Sequence, residues 1–193
     1  ARPWDGTDSY YTDSHMESFL LHAQYTLLDK YTLTANARGD ASSKVGKNNR
    51  WGFFPSVSGA WVVSKESWMK DVTFVNNAKV RIGYGLSGNL GGIDSYNSML
   101  LIQPNGVVPV NGMPATTLGI IRNANPDLKW EVKRTFNMGF DLLLWDRRIA
   151  LSIDNYTSKT IDMLYVYDVS VPPASFDKLL ANIGSMENFG LEI

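Results

Sequence analysis

"NNRWGFFPSVSGAW", residues 48–61, sets Phe53, Val57 and Trp61 in alternation with Ser56, Ser58 and Ala60. A strand shows successive side chains to opposite faces, so one face of this stretch is aromatic and aliphatic and the other small and polar. What lies against each face decides the function.

The alternation continues outward on both sides. Upstream, Phe19, Leu21, Ala23, Tyr25 and Leu27 oppose His22, Gln24 and Thr26; after a turn at Asp29 and Lys30, Tyr31, Leu33, Ala35 and Ala37 oppose Thr32, Thr34, Asn36 and Arg38. This predicts a tight antiparallel hairpin of long strands. Downstream, Ala78, Val80, Ile82, Tyr84 and Leu86 oppose Lys79, Arg81, Gly83, Gly85 and Ser87. Two more strands flank the turn at "WDRR": Phe136, Met138, Phe140, Leu142 and Leu144 oppose Asn137, Gly139 and Asp141, then Ile149, Leu151 and Ile153 oppose Ser152, Asp154 and Tyr156. "ENFGLEI", 187–193, alternates again up to the last residue, which reads as a slice of a longer chain.

The connections sort by length. Those at Asp29 and near Asp146 are short, and "SKESWMKDVTFVNN" is intermediate, with one helical turn expected to pack Trp68, Met69 and Val72 at the rim. Gly39 to Asn49, Gly88 to Lys129 and Ser158 to Ser185 are read as long loops. Short turns at one rim and long loops at the other characterise outer-membrane barrels, whose strands of ~9–11 residues cross the bilayer at a tilt.

The totals exclude several classes. The formal charge of -1 shows no basic footprint for nucleic acid. Without cysteine there are no disulfides or thiolate metal sites, and two histidines make a poor zinc or iron site, so no metal or cofactor is expected. Residues 95–121 are uncharged, but Pro104, Pro109 and Pro114 rule out a membrane helix there. The opening "ARPWDGTDSYYTDSH" has no apolar segment of the signal-peptide kind.

Alternation alone fits both a soluble β-sandwich binding module, with the apolar face as core, and a transmembrane barrel, with that face in lipid. Three details favour lipid. The strands exceed the ~5–6 residues usual in globular sheets. Tyr25, Tyr31, Trp51, Phe53, Trp61 and Trp145 fall near strand ends, where interfacial aromatic girdles sit. The opposite face, with Arg38, Lys79, Arg81, Asn137, Asp141 and Asp154, is polar enough to line a lumen.

Motifs of other chemistries have plainer readings. Arg38-Gly39-Asp40 spells an adhesion tripeptide, but is read as a strand end opening a loop, and the sequon Asn155-Tyr156-Thr157 lies in a strand. Asp141, Asp154, Glu187 and Glu192 are enough acids for a glycosidase, yet their even spacing suits a polar strand face, so no catalytic residue is assigned. "YGLSGNLGG" lacks the lysine and helix of a phosphate loop.

"DKYTLTANARGDASSKVGKNNRWGFFPSVSGAW", "AKVRIGYGLSGN", "NANPDLKWE", "NMGFDLLLWDRRIALSIDNYTSKTIDML" and "NIGSMENFGLEI" stand in an order and spacing that resemble the SusC/RagA-like TonB-linked outer-membrane transporters, over about Ser18 to Ile193. Ala41 and Val45 depart from that pattern, which commonly has a glycine and a large apolar residue there; both are placed in a loop. The resemblance implies that residues 1–193 are part of the β-barrel domain of a bacterial outer-membrane transporter, one antiparallel meander from a barrel of about 22 strands, without its plug domain and closing strands. It further implies import of oligosaccharides or peptides, energy from TonB through the missing N-terminal part, and a SusD-like surface lipoprotein as lid. Lipid meets the outer face, and no residue carries bond-making chemistry. Tyr96, Tyr165, Tyr167 and Phe176, all placed in the long loops, are the candidate substrate contacts.

Overall fold

The computed structural model describes residues 11–193, so part of the opening stretch read for a signal peptide lies outside the described residues. Nine strands form: β1 (Met16–Leu27), β2 (Tyr31–Ser42), β3 (Trp51–Val62), β4 (Val75–Asn89), β5 (Leu101–Val110), β6 (Met113–Arg122), β7 (Glu131–Leu144), β8 (Ile149–Asp168) and β9 (Lys178–Glu192). Seven make one antiparallel sheet in the order β1-β2-β3-β4-β7-β8-β9, the meander expected from the alternation; β5 and β6 form a separate two-stranded sheet.

The short turns follow from local backbone geometry. Leu28 and Asp29 both take positive φ, and the Lys30 amide donates to the Leu27 carbonyl at 3.0 Å, which closes a tight turn within the three-residue connection between the paired Leu27 and Tyr31. Leucine is a poor residue for that conformation. Leu28→Asn with Asp29→Gly is therefore expected to stabilise the hairpin by up to about 1 kcal/mol, read as a raised melting temperature. The β3–β4 connection holds two single 3₁₀ turns, Val63–Lys65 and Ser67–Met69, rather than one; Met69 and Val72 are half-buried there and Trp68 is exposed.

Two connections read as long loops are shorter than expected, and the third, between β4 and β7, is as long as expected but holds a hairpin of its own. β2 pairs on to Ser42, so Arg38, Gly39, Asp40 and Ala41 lie within a strand, with Gly39 in register between Phe19 and Phe53. The Gly88 to Lys129 stretch contains the β5–β6 hairpin, turning at Asn111 and Gly112, both at positive φ. Its prolines are tolerated because a two-stranded sheet has a free edge on each side. β8 runs through Ser158 to Asp168 and β9 starts at Lys178, leaving only residues 169–177 as loop. A register shift between Thr160 and Met163, with Asp162 at positive φ, breaks the alternation there and disguises a strand as a loop.

On the apolar face Phe53, Val57, Trp61, Ile82, Tyr84, Phe136, Met138 and Phe140 all stay exposed, so among the described residues no second layer covers it as a soluble sandwich would require. The buried cluster lies at the long-connection end and comprises Val45, Phe54, Ile93, Leu128 and Trp130. The β3–β4 ladder ends at Ser56 opposite Gly85. Beyond it the Phe54 ring lies where a Cβ on Gly52 or Gly88 would stand, 2.4 and 2.1 Å from its ring carbons, and meets Trp130 edge-on at 5.5 Å. Phe54 thus belongs to the face expected to be small and polar. Leu86, expected beside Ile82 and Tyr84 on the exposed face, packs against this cluster, and so does Val45 from the departure noted above.

Residues 123–130 fasten this cluster to the sheet. Asn123 donates to the carbonyls of Phe176 (2.6 Å) and Lys178 (2.9 Å), Asn125 to that of Leu180 (2.8 Å), and Asn182 to those of Lys129 and Asp162, both at 2.8 Å. On the other side the Gly46 amide donates to the Leu128 carbonyl at 2.8 Å, and a Cβ on Gly46 would stand 1.9 Å from the Pro126 carbonyl oxygen. The "NANPDLKW" segment is therefore a strap from the β2–β3 connection to β8 and β9. Its asparagine amides supply the pairing that backbone groups supply within a sheet.

Candidate functional site

The polar face carries a charged cluster set by register. Arg81 on β4 stands opposite Gly139 on β7, which stands opposite Asp154 on β8; the neighbouring row is Lys79, Asp141 and Ser152. The Arg81 guanidinium donates to both oxygens of Asp141 at 2.7 and 3.0 Å and reaches over Gly139 to Asp154 at 3.0 Å. A Cβ on Gly139 would stand 2.5 Å from the Asp154 carboxylate and 2.6 Å from the Arg81 Cζ, so a side chain there would make the guanidinium or the carboxylate shift. The Ser152 hydroxyl donates to Asp141 at 2.7 Å.

Lys79, Arg81 and Asn137 line one concavity of about 480 Å³ with Gln24, Thr34 and Ser58. Five of the six polar residues named from the sequence, Lys79, Arg81, Asn137, Asp141 and Asp154, thus meet in one region. Arg38 does not; it donates to the buried Asp40 at 2.8 Å beside the Phe54 cluster. Of the acids weighed for catalysis, Asp141 and Asp154 share one arginine and Glu187 pairs with Lys159 at 2.6 Å.

The candidate substrate contacts divide. Tyr96, in the segment before β5, lines a cavity of about 650 Å³ with Asp94 and Arg122; Phe176, in the β8–β9 loop, lines a second of about 370 Å³ that shares Asp94 and Arg122 with the first. Tyr165 and Tyr167 are strand residues rather than loop residues, on the opposite face of β8 from Leu164 and Val166, which face the buried cluster and the second cavity respectively. Gly139 and Ser152 were placed on this face by the alternation but not named among its candidate residues. A glycine inside a strand pattern is the signal for the first, since it marks a close approach.

The family described as TonB dependent receptor-like, beta-barrel matches residues 1–193. The chain belongs to the TonB-dependent receptor β-barrel family. A TonB-dependent receptor of Formosa agariphila is 38% identical over 190 residues, 97% of this chain and 17% of that protein. The TonB-dependent receptor SusC of Bacteroides thetaiotaomicron is 33% identical over 186 residues, 95% of this chain and 18% of that one. The solved RagAB peptide transporter superposes with a TM-score of 0.80 at 28% identity, over 92% of this chain and 19% of that one. The chain thus spans less than a fifth of the length of these relatives. The TonB-dependent barrel is an outer-membrane structure: its apolar face meets lipid, its polar face lines the lumen, its short turns lie in the periplasm and its long connections outside.

At the periplasmic rim, Glu66 accepts from the Tyr31 hydroxyl at 2.6 Å, the Trp61 indole at 3.1 Å and Lys30 at 3.1 Å. These donors, Tyr31 foremost, hold its carboxyl down from 4.5 to about 2. A carboxyl depressed on folding contributes stability that is complete above its unfolded pKa and is lost as pH falls through its folded one. The wild-type melting temperature is expected to fall between about pH 4.5 and pH 2 more steeply than that of Glu66→Gln, with the two curves parallel above pH 5.

Proposed function

We propose that the intact protein, completed by a plug domain and closing strands, imports oligosaccharides or peptides across the outer membrane on energy transmitted by TonB. A SusD-like surface lipoprotein caps its extracellular end. The observation that carries this reading is the match over nearly the whole chain to SusC and to the RagAB peptide transporter. The polar lumen wall around Arg81 and the two extracellular cavities beside Tyr96 and Phe176 are consistent with it. An aromatic ring at a cavity mouth stacks on a sugar ring or packs on an apolar side chain.

The test is uptake of labelled oligosaccharides and labelled peptides by cells carrying the full-length protein, with and without functional TonB. TonB-dependent accumulation of one class, reduced about tenfold when Tyr96 and Phe176 are both changed to alanine, identifies the substrate class and the contacts. Equal accumulation without TonB refutes the energised-import reading.

A further inference from the structure

We propose that the two extracellular cavities form one site for the C-terminal end of a peptide, with its carboxylate on Arg122 and its last side chain, an apolar one, in the smaller cavity. This rests on the import reading and narrows the substrate class to peptides. The cavities, about 650 and about 370 Å³, meet at Asp94 and Arg122, which line both. The smaller one is walled by Ile121, Val166, Phe176 and Leu180. Val166 pairs with Leu180, and Leu180 packs against the Phe54 cluster, so this chamber opens on the lumen side of β8 and β9.

The charges of the site are held in place and left unpaired. Arg122 ends β6 and precedes Asn123, whose side-chain oxygen accepts from the amides of Ser175 (3.2 Å) and Phe176 (3.1 Å) while its nitrogen donates to the carbonyls of Phe176 and Lys178. Asp94 follows Ile93, which is buried, and Lys44, in the larger cavity, precedes the buried Val45. Arg122, Lys44 and Asp94 have no ion-pair partner among the described residues. Lys178, the remaining cation, is taken by Asp168 at 2.8 Å. Charges fixed in position but not neutralised are preorganised for a charged ligand.

The last residue of a peptide presents what both chambers take. Its carboxylate meets the guanidinium, which can bind it through two parallel hydrogen bonds, and its side chain enters the apolar chamber beside it. The rest of the peptide runs back past Tyr96 into the larger cavity, where Asp94 accepts from its N–H groups and Lys44 donates to its carbonyls or an acidic side chain. A neutral oligosaccharide leaves all three charges unmatched and sets hydroxyls against Ile121, Val166 and Leu180, where burial without a partner is unfavourable. An acidic oligosaccharide matches Arg122 but not the apolar chamber.

The experiment measures binding to the full-length protein in mild detergent by isothermal titration calorimetry. The probes are a heptapeptide of alanine and serine ending in leucine, its C-terminal amide, the same peptide ending in serine, maltoheptaose and hexagalacturonate. The leucine-ended acid is expected to bind tightest, and amidation and Arg122→Gln are each expected to weaken it about tenfold, as loss of a charged hydrogen-bonded pair does. Amidation costs Arg122→Gln nothing further, and a terminal serine weakens wild type about tenfold through the lost apolar burial. Lys70→Gln, which removes the same charge at the opposite rim, leaves binding unchanged. The site is overturned if amidation is without effect, if it weakens Arg122→Gln as much as wild type, if either oligosaccharide binds more tightly than the peptide, or if no probe binds. If Arg122→Gln does not fold, amidation and the terminal serine decide on wild type. Uptake without TonB refutes the import reading and leaves these affinities as they are, whereas TonB-dependent uptake of oligosaccharides alone keeps that reading and overturns the peptide site.

Discussion

Phe54→Ala is expected to destabilise the barrel by about 3–5 kcal/mol, the range for emptying a buried aromatic site. Phe54 is 6% exposed and supplies the ring around which Trp130, Leu86 and Val132 gather. Gly52 and Gly88 flank it and have no side chains with which to fill the hole. Phe53, its neighbour in sequence, is 66% exposed on the lipid face. Phe53→Ala gives up contacts that lipid replaces and is expected to cost under about 1.5 kcal/mol. Urea unfolding of the full-length protein in lipid vesicles, with the two variants side by side, checks both values. Equal losses would mean that the rim cluster is no more a core than the lipid-facing wall.

Arg81→Met is expected to cost about 2–3 kcal/mol in the same measurement. It leaves Asp141 and Asp154 facing each other without the cation both bind. Breaking a fully buried pair from one side costs about 3–5 kcal/mol. Here each partner keeps about a quarter to a third of its side-chain exposure, and water screens part of the loss. Adding Asp154→Asn to Arg81→Met removes one of the stranded charges and should recover about half of the loss. Gly139→Val perturbs the same cluster with all charges present, because its Cβ stands where the guanidinium crosses and makes it shift, and is expected to cost less than Arg81→Met. An Arg81→Met barrel as stable as wild type would show the cluster to be ornament on the wall.

The strands were readable wherever alternation ran unbroken. Phe136 to Leu144 and Ile149 to Tyr156 keep strict period two, and their pairing follows from the short turn at Trp145 to Arg147. The same period put Lys79, Arg81, Asn137, Asp141 and Asp154 on one face, since faces are a local property of an extended backbone. Where a single residue shifts the register, that inference stops. The irregularity around Asp162 turned Tyr165 and Tyr167 from strand residues into apparent loop residues. The β5–β6 hairpin had a signal, Asn111-Gly112, but three prolines obscured its strands.

The order of the seven main strands, their two faces away from the Phe54 cluster and the membership in an outer-membrane barrel family were determined by the sequence itself, because each rests on near-neighbour pattern or on blocks retained in order. Which polar residues touch, and which aromatic is buried, were decided only by the tertiary structure. Arg81 meets Asp154 across 73 residues because Gly139 lies between them, and Phe54 is buried because β3 and β4 part beyond Ser56 and the 123–130 strap closes over the opening. Both depend on distances between strands far apart in the chain, which no local period encodes.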